Sequence, residues 1–214
     1  MPVTIQKFSM SFNKKLFSKY KLVIFDLDNT IYDETLFLFT AYAAIANYVS
    51  DKYNLHVEEV EDFLVTTFKG GGRKNLFQLL INQYLIPAEE INVFLQIMRT
   101  SIPDTKYPIF PPVITLFNDL LNSGIKIGVL TNGHVQQQKN KVTQISWDGW
   151  DNNIHFYYAN EIAPKPDPSS LDIILKDFNT PKETILFIGD SDTDEQFAAN
   201  ANIDFLHINN IISQ

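Results

Sequence analysis

The stretch Val23-Ile24-Phe25-Asp26-Leu27-Asp28-Asn29-Thr30 decides the fold, because a short apolar run ends there in two closely spaced carboxylates. The apolar part predicts a buried strand, and alternate residues of an extended chain point the same way. Asp26 and Asp28 are therefore expected to address one small volume at the carboxyl edge of a sheet, where open parallel sheets bind ligands. An Asx turn that merely closes the strand explains the same residues, so this stretch alone leaves both interpretations open.

The same order of apolar strand and polar edge recurs at two later places. Residues 125–130 run into Thr131-Asn132-Gly133, and residues 184–188 run into Gly189-Asp190-Ser191-Asp192-Thr193-Asp194. A helix is expected after each, from about His134 and Asp192. This alternation predicts an α/β fold with a doubly wound, mostly parallel, Rossmann-like sheet, and it places the three polar edges on one rim.

A second kind of pattern separates the first two strands. Apolar residues recur at spacings of three and four in four segments between residues 34 and 102, which predicts four short helices and no strand. A cluster of prolines, at positions 103, 108, 111 and 112, then returns the chain to the sheet. We expect a small α-helical cap domain over residues 34–103, inserted into a core formed by residues 1–33 and 104–214.

Four motifs in this order resemble those of the haloacid dehalogenase-like (HAD) superfamily. They are Asp-Leu-Asp-Asn-Thr at 26–30, Leu-Thr-Asn-Gly at 130–133, Ala-Pro-Lys-Pro-Asp-Pro at 163–168 and Gly-Asp-Ser-Asp-Thr-Asp at 189–194. The resemblance spans roughly Lys21 to Ile208. It is greatest to members whose helical cap follows the first motif, a group that includes phosphoglycolate phosphatases, pyrimidine nucleotidases and β-phosphoglucomutases.

The resemblance implies a role for each motif in phosphoryl transfer. Asp26 matches the nucleophile, whose carboxylate attacks phosphorus to give an aspartyl-phosphate. Asp28 matches the general acid that protonates the leaving oxygen and then serves as general base for water. Thr131, Asn132 and Lys165 would bind the phosphoryl oxygens, and Thr131 and Lys165 would also stabilise charge during the reaction. A plain N-cap at Thr131 and an exposed loop lysine at 165 are the structural alternatives.

Magnesium is the cofactor that the resemblance implies. Its ligands would be Asp26, the backbone carbonyl of Asp28, and Asp190, with Asp194 acting directly or through water. Asp192 or Glu195 could share this role. An acidic helix N-terminus stabilised by the helix dipole explains residues 190–195 without a metal, and both interpretations can hold together.

Within the predicted cap, Gly70-Gly71-Gly72-Arg73-Lys74 departs from the helical pattern. Three glycines let a backbone approach a ligand closely, and two cations follow. Arg73 is therefore a candidate for binding the leaving group of the substrate. An ordinary helix–helix turn with a solvated basic end accounts for the same residues.

Composition excludes several classes of function. With 17 Lys and Arg against 25 Asp and Glu, the 214-residue chain has a net charge of −8, which argues against binding to nucleic acid. The absence of cysteine excludes disulfides and thiolate chemistry. The first twenty residues show neither the apolar core of a signal peptide nor a membrane span, so a cytoplasmic protein with no membrane partner is expected.

The sequence thus predicts a Mg²⁺-dependent phosphatase that acts on a small phosphorylated metabolite. The segment Asp-Leu-Asp-Asn-Thr-Ile-Tyr-Asp at 26–33 resembles that of pyrimidine-nucleotidase-like members, and this resemblance implies a nucleoside monophosphate in preference to a sugar phosphate. Two alternatives stay open: a phosphomutase for sugar phosphates, and a non-catalytic binding protein that retains the fold. The aromatic stretch from Trp147 to Tyr158 is expected in the core, and its polar segment 146–153 is a candidate contact surface for a partner. The oligomeric state and the exact substrate are not predicted.

Overall fold

Residues 17–212, which the computed structural model describes, build one parallel sheet of five strands. In chain order the strands are β1 (Leu22–Phe25), β2 (Lys126–Thr131), β3 (Ile154–Tyr158), β4 (Ile185–Gly189) and β5 (Asp204–His207). Their spatial order is β3-β2-β1-β4-β5, and every pairing is parallel. The predicted α/β class is confirmed, and the strand of the first motif lies at the centre of the sheet.

Helices occupy most of the chain between these strands. They are α1 (Glu34–Tyr53), α2 (Val57–Gly71), α3 (Leu76–Tyr84), α4 (Glu90–Thr100), α5 (Pro111–Asn122), α6 (Val135–Gln144), α7 (Ser170–Phe178), α8 (Asp192–Ala201) and α9 (Asn209–Ile212). Helices α1 to α4 are the four that the apolar spacing predicts, and they follow β1 directly. They stand where the cap is expected, while the domain boundaries themselves remain a prediction.

The glycine run 70–72 divides between a helix and a turn. Gly70 and Gly71 complete the last turn of α2, and the turn begins at Gly72, whose φ is +70°. Glycine suits this position because other residues rarely adopt such a backbone conformation. Arg73 and Lys74 then follow in the turn before α3.

The two faces of the sheet are covered by different helices. Val23 and Phe25 of β1 lie in an apolar cluster that extends continuously into the side chains of α1 to α5, whereas Leu22 and Ile24 face a second cluster with α7 and α8. This alternation is what an extended chain buried on both sides requires. The inserted helices therefore share their core with one face of the sheet.

The aromatic segment before and within β3 is part of this core. Trp147 is buried, its indole Nε1 donates to the carbonyl of Val142 at 2.7 Å, and its ring meets Phe156 edge to face. Trp150 packs edge to face on Phe117. Trp147 thus lies in the core as predicted and Trp150 packs against the core, while a partner contact of segment 146–153 stays a prediction.

Part of the prediction about localisation lies outside the described residues. That prediction rests on the first twenty residues, of which residues 1–16 precede the described part of the chain. Within residues 17–212, no helix combines the length and the apolar character that crossing a bilayer requires.

Candidate active site

The central strands end at the same level, which brings their polar edges together. Phe25 at the end of β1 pairs with Val129 of β2 on one side and with Ile188 of β4 on the other. The backbone N–H of Asp26 continues this pairing and donates to the carbonyl of Ile188 at 2.8 Å. The predicted common rim is therefore confirmed.

Three aspartates converge at this rim. Asp26, Asp190 and Asp194 each place one carboxylate oxygen within 4.8 Å of the others, and Asp26 and Asp194 are buried. Such close carboxylates repel one another unless a cation lies between them. The cluster thus needs positive charge for its stability as well as for chemistry.

Lys165 supplies part of that charge. Its Nζ lies 2.6 Å from Oδ1 of Asp26 and 2.6 Å from Oδ1 of Asp194, and the lysine is only 5% exposed. Burial alone lowers the pKa of Lys165, but the two carboxylates outweigh that effect and the pKa is raised overall. Lys165 is therefore a fixed cation beside the predicted nucleophile.

The predicted nucleophile has a strongly perturbed carboxyl group. Burial raises the pKa of Asp26 to about 7, the charge of Lys165 partly opposes this, and repulsion from Asp194 and Asp28 adds to it. Burial and the charge of Asp194 also raise the pKa of Asp190. Lys165 alone does not balance the negative charge of three ionised aspartates, so the charge of this cluster favours the binding of a further cation.

Asp194 is held at both oxygens. Its Oδ1 accepts from Lys165, and its Oδ2 accepts from the hydroxyl of Ser191 at 2.7 Å, within the capping box that begins α8. Asp194 therefore orients Lys165 and starts the helix. Oδ2 of Asp26 accepts no hydrogen bond from the described part of the chain, which leaves this oxygen available to a metal.

The donor set of this cluster fits a hard divalent cation. Magnesium prefers carboxylate oxygens and retains several waters, so two or three aspartates suffice. Asp26, Asp190 and Asp194 could hold such an ion. Asp192 and Glu195, the alternative ligands, are exposed on the first turn of α8 and lie outside this cluster.

Asp28 occupies a separate environment from Asp26. Its Oδ1 accepts from the hydroxyl of Tyr32 at 2.8 Å, and its Oδ2 accepts from Nζ of Lys141 at 2.7 Å and from Nε2 of Gln138 at 3.3 Å. The two aspartates thus point at different cations, Lys165 and Lys141. Each oxygen of Asp28 therefore has its own hydrogen-bond partner.

Sequence reasoning did not find Gln138 and Lys141. Both are buried, on the inner face of α6, although their residue types are usually exposed. The helix has only two apolar residues, Val135 and Val142, which is too few to cover a sheet. The small number of apolar residues in α6 was the sequence feature that could have indicated that its polar side chains face inward.

The predicted phosphate-binding residues lie at the same rim. Thr131 ends β2 and is buried. The side-chain amide of Asn132 donates to the carbonyl of Lys165 and accepts from its N–H, both at 2.8 Å. Asn132 therefore fixes the loop that carries Lys165, while direct contacts of Thr131 and Asn132 with phosphate remain a prediction.

Arg73 reaches the neighbourhood of the site through an intermediate. Its guanidinium makes two hydrogen bonds to Glu34, of 2.9 and 2.7 Å, and Oε1 of Glu34 also accepts from Lys141 at 2.8 Å. The chain Arg73–Glu34–Lys141–Asp28 thus links the turn after α2 to the predicted acid/base. A contact between Arg73 and substrate remains a prediction.

The comparison with protein families agrees with this geometry. The model for haloacid dehalogenase-like hydrolases matches residues 23–208, which include all four motifs. The chain therefore belongs to the haloacid dehalogenase-like hydrolase family. A comparison with curated proteins gives no significant match.

Solved structures with the same fold include three of interest. A proposed phosphoglycolate phosphatase from Lactobacillus delbrueckii subsp. bulgaricus is 22% identical, with a TM-score of 0.57 over 88% of this chain and 85% of that one. A proposed β-phosphoglucomutase from Thermotoga maritima is 15% identical, with a TM-score of 0.62 over 90% and 97%. A magnesium-bound HAD hydrolase from Bacillus subtilis is 18% identical, with a TM-score of 0.56 over 87% of each. At these identities the likenesses show the fold alone.

Proposed function

We propose that the protein is a magnesium-dependent phosphatase that hydrolyses phosphate monoesters of small metabolites through an aspartyl-phosphate on Asp26. The observation that carries this proposal is the separation of the two motif carboxylates. Asp26 joins Lys165 and two further acids, whereas Asp28 is held by Lys141 and Tyr32. Two carboxylates in different environments can take different roles in one reaction.

In the first step, a carboxylate oxygen of Asp26 attacks phosphorus and the bond to the leaving oxygen breaks. Asp28 gives a proton to that oxygen, so the alcohol leaves neutral. Lys165, held between Asp26 and Asp194, stabilises the charge on the phosphoryl oxygens. The amide and hydroxyl groups of Thr131 and Asn132 complete the set of donors.

In the second step, water attacks phosphorus of the aspartyl-phosphate and gives its proton to Asp28. Inorganic phosphate leaves, and the carboxylate of Asp26 is restored. Asp28 can act as the base in this step, because it gave its own proton to the leaving oxygen in the first step.

The bound ion that we propose is Mg²⁺, held by Asp26, the backbone carbonyl of Asp28 and Asp190, with Asp194 direct or through water. When bound, it supplies positive charge that favours ionised Asp26 and offsets the charge of the phosphoryl group. The magnesium-bound relative from Bacillus subtilis supports this choice. Asp192 and Glu195 stay outside the proposed ligand set because they are exposed and do not converge on the cluster.

The proposed substrate class is a nucleoside monophosphate, with sugar phosphates as the second choice. The acidic chain offers no long-range attraction to either, so recognition has to be local. Arg73 is the cap residue that we propose for contact with the leaving group. Two of its five N–H donors face Glu34, which leaves others available on its exposed side.

The test is phosphate release from a panel of nucleoside and sugar monophosphates, with magnesium and with a chelator. The wild type should release phosphate only with magnesium, and Asp26→Asn should release none. Asp62→Asn, which alters an exposed aspartate of α2, serves as the matched control and should keep full activity.

Two other results would redirect the proposal. Transfer of the phosphoryl group to a second hydroxyl of a sugar 1-phosphate, detected by product analysis, would make the protein a mutase. Absence of turnover with every ester in the panel would point to a binding protein that retains the fold.

A further inference from the structure

Lys141 is a buried ammonium group placed between two carboxylates. Its side chain is 1% exposed, and its Nζ lies 2.7 Å from Oδ2 of Asp28 and 2.8 Å from Oε1 of Glu34. The same Nζ lies 4.7 Å from the ring centroid of Phe37. A lysine is rarely this buried unless it is paired, so its position here is specified by these partners.

Gln138, one turn earlier on α6, reaches the same oxygen of Asp28. Its Nε2 donates to Oδ2 of Asp28 and, at 2.8 Å, to the carbonyl of Asn132. Because this end of the amide faces two acceptors, it is the nitrogen of Gln138 and not the oxygen. Gly133 leaves the space for this side chain, since a β-carbon there would lie 2.5 Å from Nε2.

The two oxygens of Asp28 therefore differ in what they face. Oδ2 faces an ammonium and an amide nitrogen, which can only donate hydrogen bonds. Oδ1 faces the hydroxyl of Tyr32, which can either donate or accept. Oδ1 is the oxygen that remains free to exchange with a reacting group.

Glu34 holds Lys141 from the other side. It is 3% exposed, and its two oxygens bind Lys141 and the guanidinium of Arg73. The four groups Asp28, Lys141, Glu34 and Arg73 alternate in sign and sum to zero charge. The charges of Lys141 and Asp28 are thus balanced by neighbouring groups, and they do not depend on the cation beside Asp26.

We infer that Lys141, assisted by Gln138, is a positioning residue that anchors Oδ2 of Asp28 and so presents Oδ1 to the leaving group and then to water. This inference rests on the proposed phosphatase function. Lys141 itself does not contact substrate, because the carboxylates of Asp28 and Glu34 occupy its ammonium group.

The test compares two esters that differ in their need for an acid. An alkyl phosphate has a poor leaving group and depends on protonation, whereas p-nitrophenyl phosphate has a good leaving group and needs little. Lys141→Met should lower kcat/KM for the alkyl ester by about tenfold or more beyond its effect on the aryl ester, because kcat/KM reports the step in which the leaving group departs and not the later hydrolysis that both esters share. Lys141→Arg, which keeps a cation and donors, should restore most of the difference.

Lys139→Met is the matched control on the same helix. Lys139 pairs with Glu161 at the surface, and 52% of its side chain is exposed. Its removal should leave the ratio of the two kcat/KM values unchanged. Equal losses for the two esters in Lys141→Met, or no loss, would overturn the inference while leaving the phosphatase proposal in place.

A second variant covers the case in which Lys141→Met does not fold. Gln138→Leu leaves no buried charge unpaired, and it should reduce the alkyl-to-aryl ratio of kcat/KM in the same direction by a smaller factor. An unchanged ratio in this variant would overturn the inference as well. A wild type that hydrolyses neither ester with magnesium would overturn the phosphatase proposal and the inference with it.

Discussion

The carboxylate of Asp194 lies directly against Gly189. A β-carbon at residue 189 would come within 2.6 Å of Cβ, Cγ and Oδ2 of Asp194, distances that real side chains do not tolerate. Asp194 cannot move away freely, since its two oxygens hold Lys165 and Ser191. Glycine is thus required at position 189 because Asp194 occupies the space of a β-carbon, and not because the backbone there has an unusual conformation.

Gly189→Ala should therefore lower both stability and activity. We expect a loss of roughly 1–3 kcal/mol in the free energy of unfolding from overpacking, and a fall in kcat as Lys165 shifts. Gly128→Ala is the matched control, because its nearest non-bonded neighbour would lie at an ordinary 3.6 Å. Urea unfolding and phosphate release measure both effects. Equal behaviour of the two variants would contradict this account.

Magnesium should raise the melting temperature of the wild type. A ligand that binds only the folded state adds about 2.7 kcal/mol of stability at a concentration one hundred times its Kd. Asp190→Asn should remove most of this shift, whereas Glu195→Gln, at an exposed neighbour, should retain it. Thermal unfolding with and without magnesium is the measurement. A full shift in Asp190→Asn would place the metal elsewhere.

Lys165→Met should be most destabilising when no magnesium is present. It leaves Asp26 and Asp194 buried together without a cation, and breaking a buried pair in this way costs about 3–5 kcal/mol. Saturating magnesium should recover part of this loss by neutralising the same carboxylates. Urea unfolding in chelator and in magnesium tests both statements, with Lys139→Met as the surface control. An identical loss of stability in the two buffers would show that Lys165 and magnesium do not neutralise the same carboxylates.

Because of Asp204, we expect the free energy of unfolding to depend on pH. Burial alone raises the pKa of Asp204, but hydrogen bonds from Lys19 and Tyr20 outweigh this, and the pKa is lowered overall. A lowered folded-state pKa gives stabilisation that is present above the unfolded pKa of about 4 and is lost as the pH falls through the folded value.

The stability difference between wild type and Asp204→Asn should therefore be present at neutral pH and shrink below about pH 4. Urea unfolding across this range measures it. Asp62→Asn, at an exposed aspartate, should show no such trend. A difference that stays constant with pH would exclude the ionised carboxylate as its source.

Local patterns were enough to predict the sheet, the four inserted helices and the rim. The strands of the three motifs are apolar runs buried on both sides, and the helices carry clear apolar spacing, so each signal lies within a few residues. The two edge strands, β3 and β5, were not predicted, because only two of the five residues of β3 and one of the four residues of β5 are buried. An edge strand of this kind has no local pattern to recognise.

The candidate site was predictable for the residues that follow strands. Asp26, Asp190 and Asp194 come together because parallel strands end at one edge, which the order of the motifs already implies. Lys141 and Gln138 were not predictable in the same way, because their partner Asp28 is more than one hundred residues away. What a buried lysine pairs with depends on how α6 packs, which spacing does not encode.

The order of the strands also bears on when the site can exist during synthesis. One of the two neighbours of strand β1 is β4, which begins about 160 residues later at Ile185. Contacts this distant in sequence form slowly. The nascent chain therefore carries Asp26 without Asp190 or Asp194 until the residues between them have been made. The pairing of β1 with β4 and the assembly of the aspartate cluster depend on the same later segment of the chain.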